Sequence, residues 1–201
     1  AAGAARPADP GLTAVFLHEY SHARQSPTVK RLFQRAQEQF RQHKQPDNDD
    51  SLQARFQDDP AYVAVWEKET ALLYQAAAEP DEAKARELAL EALALMEARQ
   101  KRWFVGPEAM WKIYDDLYLS MEGFGQWVAY AWLSGPKGAG MTTDAAREKM
   151  RGRRRQWSQE EGLGLFLVID RFVPDWPQRA FAEEPTLGID LLRLAAAEPA
   201  A

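Results

Sequence analysis

The sequence predicts a mainly α, multi-helix protein with little or no β-sheet. Three observations lead there. Apolar residues recur at helical spacing in segment after segment, as in Val63, Trp66, Leu73 and Tyr74. The stretch from Asp81 to Trp103 is rich in Ala, Leu, Glu, Lys and Arg, all strong helix formers. No segment alternates apolar and polar residues convincingly, as a half-buried strand would. Nor does the chain carry an internal repeat or a glycine-rich phosphate loop.

Each element follows from local signals. The first helix is expected around Ala14-Val15-Phe16-Leu17, an apolar run that packs its back into a core. Ser26-Pro27 ends it, because the residue before a proline avoids helical geometry. Thr28 to Arg41 then reads as a short amphipathic segment with Val29, Leu32, Phe33 and Phe40 inward. The polar run from Gln42 to Asp50 reads as a solvated loop, with His43 an ordinary surface histidine.

A helix over 60–78, with Val63, Trp66, Thr70, Leu73 and Tyr74 inward, is broken by Glu79-Pro80-Asp81. With the 81–103 segment, whose Leu88, Ala92, Leu95 and Met96 face inward, it makes an αα-hairpin. Pro107 opens a further helical region that runs to Leu133, and its part from Trp111 onward is apolar on almost every face. Such a helix is buried.

Ser134 to Gly140 reads as a flexible loop. Ser158 with Glu161 reads as a capping box for a helix over 160–172, stopped by Pro174. Trp176-Pro177 and the segment 187–194 close the chain, and Ala195 onward reads as a frayed tail.

Composition narrows the function classes. The 201 residues suffice for one domain, 1–201, with a sizeable core. A net charge of −5 argues against a dedicated nucleic-acid binder. The basic run from Arg147 to Arg155 lacks interleaved aromatics and reads as a solvated face. The chain contains no cysteine, which excludes disulfides and thiolate metal sites and fits either compartment. No apolar run reaches the length of a membrane span, so no transmembrane segment is expected. The start, Ala1-Ala2-Gly3-Ala4-Ala5, lacks the basic region and apolar core of a signal peptide. It matches what signal cleavage leaves, and an excerpt boundary would look the same; the expectation tilts slightly towards an exported protein over a cytoplasmic one.

His18-Glu19-Tyr20-Ser21-His22 carries the chemistry. Two of the chain's three histidines lie four residues apart. On a helix they share a face and can direct ring nitrogens at one cation. Glu19 is rotated by about 100° from His18, beside the ligand axis, where a carboxylate can take a proton from a water on that cation. The bland alternative is a surface helix that happens to carry two histidines.

A catalytic zinc usually has three protein ligands, and without another credible histidine the third must be a carboxylate. Glu122 is the leading candidate, because a carboxylate within a buried apolar helix needs a partner. The alternative for Glu122 is a core ion pair with an arginine or tyrosine. Gly123 and Gly125 beside it suggest the close approach of another helix, plausibly the one that carries the histidines. Glu67 and Glu69 are reserve candidates, read more readily as surface charges or as groups that support the ligands from behind. Tyr118, one turn before Glu122, could donate to an oxyanion or serve as a buried structural tyrosine.

Phe16 to His22, with the distant Glu122-Gly123-Phe124, resembles the gluzincin class of zinc metallopeptidases. The resemblance implies a zincin-like domain with Zn²⁺ held by His18, His22 and Glu122. It also implies Glu19 as general base, and hydrolysis of a peptide or protein substrate by a zinc-activated water. Two features depart from the class: the long separation of the two motifs and the lack of strands before the first. Only seventeen residues precede His18. The chain is therefore expected to be either a helical minimal variant or an excerpt lacking upstream strands. The alternative function is a catalytically inactive metal-binding helical module that binds a peptide or protein partner. A third reading is a purely structural helical domain with a chance motif.

Overall fold

The computed structural model describes residues 9–43 and 48–197, and within them every side chain except those of residues 28, 33, 35, 36, 39, 40, 42 and 43. Among the described residues all regular structure is helical. The reading of His43 as a surface histidine, and of Phe33 and Phe40 as inward, lies outside the described side chains.

α1 (Pro10–His43) is one continuous helix where the sequence predicts two. Pro27 removes a backbone hydrogen bond and disfavours helical geometry at Ser26. Packing outweighs that bias. Ala14, His18, Ser21, Gln25 and Val29 form one buried stripe at spacings of three and four residues, running past Pro27, which sits on the exposed side. Val15 and Phe16, expected inward, are 59% and 65% exposed, because four consecutive helical residues cannot share a face.

The next helices begin where side chains satisfy free backbone N–H groups. α2 (Ser51–Phe56) is a short addition to the expected set. α3 (Pro60–Ala78) has Pro60 in its first turn, and Asp59 accepts hydrogen bonds from the Ala61 and Tyr62 amides at 2.9 and 3.2 Å. α4 (Glu82–Trp103) is capped by Asp81, which accepts from the Lys84 amide at 2.8 Å. The two form the expected hairpin. A 3-10 turn at Gly106–Glu108 leads into α5 (Trp111–Ser134). The 134–140 segment folds back on its end, with the Ala139 amide donating to the Trp132 carbonyl at 3.1 Å. α6 (Thr143–Met150) is capped by Thr142.

α7 (Trp157–Phe172), α8 (Trp176–Ala180) and α9 (Gly188–Ala196) complete the set. The expected capping box at Ser158 is absent. α7 begins a turn earlier, Ser158 Oγ finds no partner among the described residues, and Glu161 turns inward to an arginine. Nor does Ala195 begin a frayed tail, for it and Ala196 are buried within α9.

α5 is the centre of the arrangement, with α1 on one side and α7 on the other; α3 covers α7, and α9 packs on α4, α5 and α7. Two glycines allow this. Gly123 and Gly125 lie about 200° apart round the helix, so they face different neighbours. A Cβ on Gly123 would lie 2.6 Å from the Gly162 carbonyl of α7, whereas one on Gly125 would lie 2.8 Å from the His18 ring of α1. The close approach inferred from the sequence thus involves the histidine helix only at Gly125.

Arg99 of α4 is fully buried and ties the helices together. Its guanidinium reaches Glu69 (2.5 Å), Asp115 (3.1 Å) and Glu161 (3.4 Å), and donates to the Tyr62 hydroxyl at 2.7 Å. Breaking such a buried network by deleting one partner typically costs about 3–5 kcal/mol. Burial drives the Glu161 carboxyl well above the usual range, reinforced by Glu69, and burial also raises Glu69. A proton retained on Glu161 supplies the donor that Glu69 Oε2 otherwise lacks. Glu69 is therefore an internal group paired with Arg99, neither at the surface nor behind the histidines, the two places expected for it.

The basic run is largely neutralised within the molecule. Arg151 pairs with Glu160, Arg153 with Glu148, and Arg154 with Glu67. No helix among the described residues is long and apolar enough to cross a membrane.

Candidate metal centre

The buried stripe of α1 places His18 and His22 one turn apart on the side that meets α5. On α5, Glu122 lies about 60° round the helix from Gly125, so it faces the same neighbour. The missing side chain at Gly125 leaves room for the His18 ring, and the missing side chain at Gly123 seats α5 against α7. The sequence between 111 and 133 therefore brings a carboxylate, across a hundred residues, onto two imidazoles.

The three side chains converge closely. His18 Nε2 lies 3.2 Å from one Glu122 oxygen, and His22 Nε2 lies 3.3 Å from the other. The two ring nitrogens are 3.0 Å apart. A cation bonded at about 2.0–2.1 Å in tetrahedral geometry sets its ligand atoms about 3.3–3.4 Å apart. One atom from each of the three side chains lies within 4.8 Å of the others, a spread that small side-chain shifts bring to that spacing, and two imidazoles with one carboxylate form a common catalytic zinc set. The residues fit such a cation.

Charge points the same way. Glu69, Asp115 and Glu161 share Arg99, and Glu160 is held by Arg151. Glu122 is buried too, yet among the described residues neither lysine nor arginine reaches it. A buried carboxylate without a cationic partner is costly, and a metal ion would supply the missing charge.

Outer partners orient the ligands. Gln25 Nε2 donates to the Ser120 carbonyl at 3.4 Å, which turns its Oε1 towards His22 Nδ1 at 3.2 Å. The Nδ1–H then donates to that oxygen, leaving the Nε2 lone pair free for a cation. On the carboxylate side Gln159 of α7 donates to Glu122 Oε2 at 3.1 Å, and Gln126 donates to Gln159 Oε1 at 2.5 Å. Three helices thus hold the ligand set.

Comparison with protein-family models, curated proteins and solved structures finds no match.

Glu19 stands apart from the ligand triangle. It is exposed and makes neither a hydrogen bond nor an ion pair with any described residue. Its azimuth is about 60° from that of His22, the most open ligand, whose side chain is 22% exposed against 8% for His18 and for Glu122. A groove of about 400 Å³ opens at His22 and follows α1. Glu19 is thus free to meet a water or ligand arriving on that side.

The reserve candidates are elsewhere, Glu69 on Arg99 and Glu67 on Arg154. Tyr118 packs against Tyr114 at 5.1 Å between ring centres and lines a separate small cavity with Asp115 and Glu161. Asp49, placed by the sequence in a solvated loop, lines that cavity too. Burial, and then the charge of Glu122, raise its carboxyl above the usual range. Sequence reasoning missed Gln25, Gln126, Gln159 and Asp49. Only Gln25 had a usable signal, its position three residues after His22 on the same helix.

Proposed function

We propose that the chain is a zinc-dependent metallopeptidase of gluzincin type. The observation that carries this reading is the convergence of His18, His22 and Glu122 on one point, with an exposed Glu19 next to the most open ligand. His18, His22 and Glu122 would hold the ion. When bound, zinc supplies Lewis-acid polarisation of a water and of the substrate carbonyl.

The protein's own groups do the rest. Gln25 keeps the His22 ring in the tautomer that offers Nε2, and Gln159 holds one oxygen of Glu122 in place. Glu19 removes the proton from the attacking water and delivers it to the leaving amine. The burial of His18 and Glu122 keeps bulk water from two sides of the site, so a substrate approaches along the groove beside His22.

The test combines metal content and turnover. Purified protein should bind about one equivalent of zinc per chain, with thermal stability rising with zinc and falling with a chelator. At a free concentration a hundredfold above Kd the gain is about 2.7 kcal/mol. Glu19→Gln should keep the zinc and lose about 10²–10⁴-fold in peptide hydrolysis. Full activity in that variant would remove Glu19 from its role. Zinc bound without turnover on any peptide would favour a metal-binding module that holds a peptide or protein partner, and no zinc after reconstitution would end both readings.

A further inference from the structure

We propose that the groove beside His22 binds the substrate peptide and, through Lys30, selects a carboxylate two to four residues from the scissile bond. The proposal rests on the peptidase reading and gives it a substrate class. The groove is lined by His22, Ser26, Val29, Lys30, Gln34 and Met121, with Gln37 at its far end. Its volume of about 400 Å³ lies in the range of ligand clefts. It begins at a candidate metal ligand, so an occupant is delivered to the reacting centre. Buried Val29 and half-buried Met121 supply apolar surface, and Ser26, Gln34 and Gln37 supply hydrogen-bonding groups.

Among the described residues that line the groove, Lys30 alone carries a formal charge. It forms no ion pair with any described residue. Nearby Arg31 and Arg41, by contrast, are neutralised by Glu184 and Glu38 at 2.9 and 2.8 Å. In a chain of net charge −5, an uncompensated cation beside a cleft repels basic occupants and attracts acidic ones.

Distance sets the position. Lys30 lies eight residues beyond His22, about 12 Å along the helix axis. An extended peptide advances about 3.3 Å per residue, and the flexible lysine stem shortens the span to be crossed. The recognised carboxylate therefore lies two to four residues from the bond at the metal centre. An acidic side chain and the C-terminal carboxylate of the substrate offer the same chemistry.

Binding of a peptide series to zinc-loaded Glu19→Gln protein, and to the same protein without zinc, tests this independently of turnover. The peptides are N-acetylated heptapeptides of one sequence with Glu, Gln or Lys placed at successive positions, each with a free or an amidated C-terminus. At one position the Glu peptide should bind about three- to tenfold more tightly than its Lys counterpart, and Lys30→Glu should invert the order. Lys30→Gln, a change at an exposed side chain, should abolish the preference without altering thermal stability. A Glu-over-Lys preference that persists in amidated peptides assigns the acidic side chain; tighter binding of free than of amidated peptides, whatever the varied residue, assigns the terminal carboxylate. Equal binding of all three peptides together with equal binding of their free and amidated forms, or a preference unmoved by Lys30→Glu, overturns the proposal. Cleavage by wild-type protein is scored separately, so a peptidase without charge preference and a binding groove without peptidase activity are distinguishable.

Discussion

Without a cation, Glu122 is a buried carboxylate that faces two imidazole nitrogens and accepts a hydrogen bond from one glutamine amide. Its removal therefore has opposite consequences with and without metal. Glu122→Gln keeps an oxygen for the Gln159 donor and deletes the charge. Metal-free Glu122→Gln should be at least as stable as metal-free wild type, by up to about 1–3 kcal/mol. The zinc-dependent gain in stability should vanish in the same variant. Urea titrations with chelator or with zinc separate the two effects, and a loss of stability in chelator would show that Glu122 holds the helices together by other means. Gln25 acts one step further out. Gln25→Leu removes the acceptor that fixes the His22 tautomer and should weaken zinc binding about 10–100-fold. Unchanged affinity in a competition titration with a chelator dye would mean that the ring orients itself.

At the level of the helix, α1 and α5 explain each other. The stripe from Ala14 to Val29 needs a smooth partner, and α5 provides one by carrying a glycine where the His18 ring lies. Gly123 does the same work towards α7, where two backbones touch and neither can yield. The two glycines therefore predict different phenotypes. Gly125→Ala displaces a side chain, so its stability cost should stay near the low end of the roughly 1–3 kcal/mol of overpacking. The same change should shift His18 and depress zinc affinity sharply. Gly123→Ala forces α5 from α7 and should cost more in melting temperature than Gly125→Ala. Thermal scans with zinc and with chelator on both variants check this; a larger metal defect in Gly123→Ala would reverse the assignment of faces. Pro27 fits the same picture. A single lost hydrogen bond on the exposed side is outweighed by a packed stripe that spans it.

Across the whole molecule the buried charges bind α3, α4, α5 and α7 through one guanidinium. Three carboxylates meet Arg99, so the cluster stays tolerable in a dry interior only if it retains a proton. Burial, and then Glu69, raise the Glu161 carboxyl well above the usual 4.5. The folded protein thus keeps a proton that the unfolded chain gives up. Its contribution to stability is complete below the usual glutamate value and is lost as the pH climbs through the raised one. Glu161→Gln keeps a donor for Glu69 and removes the titration. Its melting temperature should fall less steeply than that of wild type from about pH 5 upwards. Parallel curves would mean that Glu161 is ionised in the fold. Because Asp115 lies on the same helix as Glu122, the cluster also positions the helix that carries the candidate third ligand.

Sequence and tertiary structure divided the work according to the range of the forces involved. Helical periodicity, caps such as Asp59 and Asp81, and the His18–His22 spacing act within a turn or two, and they were legible without a fold. So was the need of Glu122 for a partner, since an apolar helix around a carboxylate is a local pattern. Where the deciding interaction was remote, local signals misled. Pro27 ended a helix that packing carries through, Ser158 and Glu161 imitated a cap, and Glu69 looked like a surface charge. A cap is worth about 1 kcal/mol, whereas a broken buried ion pair costs about 3–5, so the arginine won Glu161. The sequence by itself determined an α-helical chain with two histidines at metal-ligand spacing and a buried carboxylate that needs a partner. Only the tertiary structure decided which carboxylate meets the histidines, because that depends on two glycines facing opposite neighbours across a helix.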